Sequence, residues 1–234
     1  MEAFMRFILA AILMLSPVAA SADALWLEIG PAGMELVYGD FGENQRDGLL
    51  GRLERAPAAK TFGPSGEQSL KLEKRGAGYQ LRGLSVDANA VVAEQAWIVE
   101  RKQDDKPVRT LNRLAARYAA ELSEQQAVIP LDVVPTGKAG QFRILYDGKP
   151  LPNAQASVTT EAGWKRDVRT DQAGNIEIAL PWKGIYVIEV AVADNSPGTM
   201  GPEAYDGMRL VTTLAFRVGA GMDGPPRPAA TARR

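Results

Sequence analysis

Short apolar runs separated by turn signals are the feature of this sequence that most constrains its fold. The run QFRILY, residues 141–146, places Phe142 and Ile144 on one face and ends at the turn pair Asp147-Gly148. A period of two residues is typical of a strand with one buried face. Three later segments continue this strand-and-turn pattern: 166–181, interpreted as a hairpin with its turn at 171–174, and the long strands 184–194 and 209–218.

Strands at this spacing, with no helix between them, predict an antiparallel sandwich of the immunoglobulin-like or transthyretin-like kind. The first half of the chain contains four further candidate strands: 25–29, 34–38, 79–84 and 91–99. The segments 39–51 and 55–68 carry Gly, Pro and Asn without a sustained period, which predicts loops. We therefore expect an all-β protein made of two antiparallel β-sandwich domains.

One segment, residues 107–126, breaks the β pattern and predicts an amphipathic helix that connects the two domains. Its apolar residues recur every three or four positions: Val108, Leu111, Leu114, Tyr118 and Leu122. The opposite face carries Arg109, Arg113 and Arg117. These arginines form either a cationic stripe that binds an anionic ligand or a solvated face, and charge runs favour the solvated face. Arg113 and Arg117 are the candidate ligand-binding or partner-binding residues of the stripe.

The amino-terminal residues have the features of a cleavable signal peptide, which predicts export to the periplasm. Arg6 precedes an apolar run, residues 7–15, and the small residues Ala20-Ser21-Ala22 follow it. The run is shorter than the ~20 residues that span a bilayer. We expect residues 1–22 to be removed and the mature chain to begin at Asp23 without a transmembrane segment.

The same signals predict the domain organisation of the mature chain. An amino-terminal β-rich domain, residues 23–126, ends in the helix, and a carboxyl-terminal sandwich occupies residues 127–218. The tail from Gly219 to Arg234 has no apolar period. We therefore expect this tail to be disordered.

The composition argues against several classes of function. With 27 basic and 28 acidic residues the chain has no net field to attract nucleic acid. It contains no cysteine, which excludes disulfides and thiolate ligands. It also contains no histidine, the commonest general base and metal ligand. We expect a protein that is not an enzyme.

Four tryptophans offer a candidate surface for stacking on a ligand. Trp26 and Trp97 fall in predicted strands, and we expect them in the core. Trp164 and Trp182 border predicted turns, where exposure is more frequent. Trp164 and Trp182 are therefore candidate ligand-binding residues of a sugar-stacking platform.

Three stretches carry a resemblance to a known family: DALWLEIG from Asp23, RYAAELS from Arg117, and the strand-rich segment from Ile129 to Val192. The chain resembles a family of small exported proteins described as periplasmic components of nickel or cobalt uptake, whose domain is labelled as of unknown function. The resemblance implies a role beside a membrane transporter or an outer-membrane receptor. Members of that family usually begin, after cleavage, with a histidine, an acidic residue and Leu-Trp.

In this chain Asp23 and Ala24 stand where the family has histidine and the acidic residue, while Leu25 and Trp26 match. The resemblance implies a metal site at the amino terminus, with the α-amine and carboxylate of Asp23 as its remaining ligands. Because oxygen ligands hold nickel and copper less well than nitrogen ligands, we expect weak binding of a divalent transition metal.

Two functions remain open at this point. The first is a periplasmic binding or accessory protein in transition-metal uptake. The second is a structural or interaction sandwich that contacts a carbohydrate or a partner protein and has no metal role.

Overall fold

A computed structural model describes residues 23–48, 56–84 and 88–232 of the chain. The predicted signal peptide, residues 1–22, therefore lies outside the described residues, and its cleavage before Asp23 stays a prediction. Strands make up the described fold: β1 (Ala24–Gly30), β2 (Gly33–Asp40), β3 (Gln45–Arg46), β4 (Ala58–Gly63), β5 (Gly66–Arg75), β6 (Gly78–Arg82), β7 (Ala90–Gln103), β8 (Lys106–Ala119), β9 (Leu131–Pro135), β10 (Gln141–Tyr146), β11 (Lys149–Pro150), β12 (Gln155–Thr160), β13 (Lys165–Arg169), β14 (Asn175–Glu177), β15 (Gly184–Asp194), β16 (Gly198–Met200), β17 (Glu203–Tyr205), β18 (Gly207–Val218) and β19 (Thr231–Ala232).

The prediction of an all-β protein is confirmed, whereas the layout of two sandwiches is not. Most strands belong to one large sheet, in the order β13, β12, β15, β18, β8, β7, β4, β5, β6, β2, β3, β19, with β1 beside β2. The division into domains at residues 126 and 127 stays a prediction. The large sheet continues across that division, because β8 pairs in parallel with β18.

The predicted helix at 107–126 is wrong, because most of this segment forms strand β8. β8 pairs with β7 along its whole length, through a hairpin whose turn residues Asp104 and Asp105 both have positive φ. That backbone is the one required by the tightest two-residue hairpin turns. Leu114, Ala116 and Tyr118 alternate into one core cluster, which is the spacing of a strand, and of these three only Leu114 and Tyr118 would share a face of a helix. Pairing on both edges overrides the local helix preference of this alanine-rich segment.

The long strands β15 and β18 are buried on both faces, which explains their nearly continuous apolar sequences. On one face Val187 and Val211 pack into a core cluster with Trp26 of β1. On the other face Ile188 and Leu214 pack against the smaller sheet. The chain therefore has three layers here, with β15 and β18 in the middle.

The smaller sheet contains β9, β10, β11 and β14. The turn at Asp147-Gly148 joins β10 and β11 as a hairpin, as predicted. The turn at 171–174 also forms, since the Gly174 N–H donates to the Asp171 carbonyl at 3.1 Å. However, the hairpin predicted around it is wrong, because β13 pairs with β12 in the large sheet and β14 pairs with β10 in the small one.

Two segments without a sequence period are ordered by pairing with distant strands. The predicted loop at 55–68 contains β4 and the start of β5, and β4 pairs with β7. The tail beyond Gly219, for which we expected disorder, follows a defined path to β19, which pairs with β3.

Candidate functional site

Trp164 and Trp182 come together at one end of the large sheet, as the candidate platform requires. Their ring centroids are 5.3 Å apart and their planes meet at 63°. They form part of the wall of a cleft of about 520 Å³, hereafter the tryptophan cleft, which Glu161, Arg217, Pro225 and Pro226 also line. Trp164 is 38% exposed. The pair therefore presents aromatic surface to solvent, at the place where the sequence predicted a sugar-stacking platform.

Strand pairing brings the two tryptophans together. Thr160, the last residue of β12, lies opposite Tyr186 of β15, so the turn after β12 and the approach to β15 share one end of the sheet. The Trp164 carbonyl accepts a hydrogen bond from the Thr160 N–H at 2.9 Å. The buried Tyr186 hydroxyl both accepts from the Trp182 N–H and donates to the Trp182 carbonyl, each at 3.1 Å. The backbone of both tryptophans is therefore fixed by the sheet.

Charged groups surround this aromatic pair. The cations Lys183, Arg217 and Arg227 and the acids Glu161 and Asp223 all border the cleft. Lys183 Nζ lies 2.6 Å from Asp223 Oδ1, and Glu161 accepts a hydrogen bond from the Ile185 N–H at 3.1 Å. The rim thus offers donors and acceptors around an apolar floor, an arrangement that is typical of sites for small polar ligands.

The C-terminal tail supplies one wall of the cleft. Met222 forms a bridge with Trp182, and Pro225 and Pro226 line the cavity. Further on, Arg227 reaches the buried carboxylate of Glu28 at 2.8 Å. Burial alone would raise the pKa of Glu28, but the charges of Arg227 and Arg46 outweigh it and hold that pKa below its ordinary value. Sequence reasoning missed this role of the tail, because its anchors are distant in the chain.

Arg113 and Arg117, the two candidate residues of the cationic stripe, each form an ion pair with an acidic residue of the fold. Residues four apart lie on one face of a strand as they do on a helix, so the stripe persists on β8. Arg113 is half-buried and pairs with Glu94 at 2.7 Å. Arg117 is 1% exposed and pairs with Asp132 at 2.6 Å. The charge of each arginine is therefore balanced by an acidic side chain within the fold.

Asp23, the predicted metal ligand, directly precedes β1, whose first residue, Ala24, lines a second, smaller cavity, hereafter the amino-terminal cavity. This cavity measures about 290 Å³ and is lined by Ala24, Asp40, Glu43 and Glu189 among others. Burial raises the pKa of Glu189 to about 7, although the charges of Lys165 and Arg209 oppose the shift. Across residues 23–48, 56–84 and 88–232, no three acidic side chains are placed to hold a metal ion. The expected site at the amine and carboxylate of Asp23 stays a prediction.

Comparison with known proteins gives one match. A family model described as a domain of unknown function (DUF4198) matches residues 119–194. Nothing among curated proteins matches the chain. The matched segment runs from the end of β8 to the end of β15 and contains both Trp164 and Trp182. The predicted resemblance to a domain of unknown function is confirmed over this segment.

The predicted membrane partners raise the question of a membrane-spanning helix. The residues it describes include no helix with the length and apolarity needed to cross a bilayer.

Proposed function

We propose that this protein is a non-enzymatic binding protein of the periplasm and that the tryptophan cleft binds a carbohydrate. The observation that carries the proposal is the edge-to-face pair of the exposed Trp164 and the half-buried Trp182 in a cleft of about 520 Å³. That volume lies within the ~300–1,000 Å³ typical of small-molecule sites. The backbone of both residues is fixed by the sheet, so little ordering is needed on binding.

The chemistry of the cleft supports a sugar ring as its ligand. A pyranose has a face of C–H groups, which packs on an aromatic ring, and an edge of hydroxyls, which needs donors and acceptors. Trp164 and Trp182 supply the apolar surface, while Glu161 and Arg217 lie at its rim. Two of the large apolar side chains that remain exposed, Trp164 and Met222, belong to this region.

The alternative role in transition-metal uptake rests on the family resemblance. Its supporting observation is that Ala24, next to the expected amino terminus, lines a cavity with the acids Asp40, Glu43 and Glu189. The tryptophan cleft supports the carbohydrate proposal better, because both of its aromatic residues and its charged rim are in place.

The test is titration of the full mature chain with neutral, acidic and amino-sugar oligosaccharides, followed by calorimetry and tryptophan fluorescence. We expect at least one oligosaccharide to bind, and Trp164→Ala to weaken that binding at least tenfold, while Trp164→Phe retains part of it. Ile29→Ala is the matched control, because Ile29 is exposed but does not line the cleft. Absence of binding across the panel, or equal loss in the control, would contradict the proposal.

A further inference from the structure

We infer that residues 221–227, hereafter the strap, form a movable wall of the tryptophan cleft that is latched by Arg227 on Glu28. The inference rests on the proposed function in one respect, since it treats the cleft as a ligand site. It adds a regulatory element to that site, because ligand entry beneath Pro225 and Pro226 then depends on release of the latch.

The first end of the strap is attached beside Trp182. The Met222 N–H donates to the Pro181 carbonyl and the Lys183 N–H donates to the Met222 carbonyl, each at 2.9 Å. Gly221 has a φ of 131°, and a Cβ on it would lie 2.7 Å from the Pro181 carbonyl oxygen. Only glycine fits this close approach, so this end is held by backbone geometry.

The middle of the strap is held only weakly, because its ion pair, Asp223 with Lys183 at 2.6 Å, is exposed to solvent. Proline has no backbone N–H, so Pro225 and Pro226 cannot donate hydrogen bonds to the sheet. Successive prolines also favour a stiff, extended backbone. Gly224, which packs against the side chain of Trp182, precedes them and gives the chain freedom to bend. The two prolines can therefore swing as a unit once the far end is free.

The far end is the latch. Arg227 Nη2 lies 2.8 Å from Glu28 Oε2, and the guanidinium sits 5.2 Å from the centroid of the Phe41 ring. Beyond it, Asn44 donates to the Pro228 carbonyl at 2.8 Å. The Glu28 side chain is only 5% exposed, and a buried charge-assisted pair holds better than an exposed one.

The fold does not depend on the latch alone. Glu28 also pairs with Arg46, and it accepts a hydrogen bond from Trp26 Nε1 at 3.1 Å. Loss of Arg227 therefore leaves the buried carboxylate compensated. The strap can open while the sheet beneath it stays intact.

The experiment compares the full mature chain with Arg227→Gln and Arg227→Lys. Its first readout needs no ligand: the rate at which N-bromosuccinimide oxidises Trp182, resolved by peptide mass spectrometry. We expect Arg227→Gln to raise this rate at least fivefold, while hydrogen exchange at the Met222 and Lys183 amides, which lie at the fixed end of the strap, stays as in the parent protein. Arg227→Lys, which keeps the charge, should restore most of the protection.

Arg82→Gln is the matched control, because it removes an exposed arginine–glutamate pair with Glu73 in which neither residue lines the tryptophan cleft. Unchanged oxidation of Trp182 in Arg227→Gln would overturn the strap, whatever the cleft binds. The second readout is stopped-flow mixing with oligosaccharide from the same panel, where we expect faster association and dissociation in Arg227→Gln. Faster oxidation of Trp182 without any oligosaccharide binding would leave the movable strap supported and overturn the carbohydrate proposal.

Discussion

Arg117 of β8 and Asp132 of β9 form an ion pair of 2.6 Å with both side chains almost completely buried. The pair also organises the connection between these strands. Arg117 donates to Gln125 Oε1 at 2.7 Å, and Asp132 accepts from the Val128 N–H at 2.9 Å. The arginine that the sequence offered as a ligand-binding residue therefore fixes a connection within the fold.

Arg117→Ala should destabilise the protein by about 3–5 kcal/mol, because it leaves the Asp132 charge buried without its partner. The measurement is the free energy of unfolding from urea denaturation. Arg113→Ala, which breaks a half-buried pair with Glu94, should cost about 1 kcal/mol or less. The double variant Arg117→Met with Asp132→Leu should recover most of the loss. Equal costs for the two single variants would show that burial of the Arg117 pair has no energetic effect.

Gly174→Ala should destabilise the protein more than Gly148→Ala, although both glycines have φ near 74°. A Cβ at Gly174 would lie 2.7 Å from the Ile144 carbonyl oxygen, whereas a Cβ at Gly148 meets open space. Backbone strain alone costs about 1 kcal/mol at either position. The clash should bring the cost at Gly174 to about 2–4 kcal/mol. Thermal denaturation of the two variants measures the difference, and equal melting temperatures would contradict it.

The contribution of Glu189 to the free energy of unfolding should fall as the pH rises from about 4.5 to about 7. Its pKa is about 7 in the folded protein against an ordinary value of 4.5, mainly because of burial. The folded state then binds more protons than the unfolded state in this window, so the free energy of unfolding decreases with pH. The full loss is at most about 3 kcal/mol.

Glu189→Gln should remove this part of the pH dependence and stabilise the protein at pH 8. The comparison is between denaturation curves at pH 4, 6 and 8. Glu177→Gln, at an exposed position of β14, is the control and should leave the slope unchanged. An unaltered slope in Glu189→Gln would show that Glu189 titrates as an ordinary carboxyl.

The mature chain should bind nickel or copper only weakly at its amino terminus, because the amine and carboxylate of Asp23 leave most coordination positions open. Asp23→His adds an imidazole and should raise the affinity at least tenfold by calorimetry. Tight binding that survives deletion of Asp23 and Ala24 would point to a different site. An unchanged affinity in Asp23→His would argue against any metal role for the terminus.

Local sequence patterns predicted several of the strands but not their partners. β1, β2, β6 and β7 lie where short apolar runs bounded by turn signals placed them, because such runs are a local signature of strands. β8 was mistaken for a helix, since residues four apart share a face in both structures. The turn at Asp104-Asp105 lacks the glycine that usually marks a two-residue hairpin. The partner of β8 in the parallel pairing, β18, lies far along the chain.

The candidate site, too, was predicted only where local sequence patterns indicate it. The positions of Trp164 and Trp182 beside turns predicted their exposure, and both border the same cleft. The rest of that cleft depends on the tail, whose Pro-rich sequence contains no periodic signal. Its attachment to Trp182 and Glu28 is made through backbone contacts and one ion pair between distant residues.

The parallel pairing of β8 with β18 constrains the order in which this protein can fold. Gly207 lies opposite Thr110, so about 100 residues separate the two partners. Contacts this distant in sequence slow folding, because a long loop must close before they form. A growing chain can pair β7 with β8 early, but one edge of β8 has no partner until residues 207–218 emerge. A fragment that stops before Gly207 exposes that edge to other chains, so truncated products should aggregate rather than accumulate as a smaller folded unit.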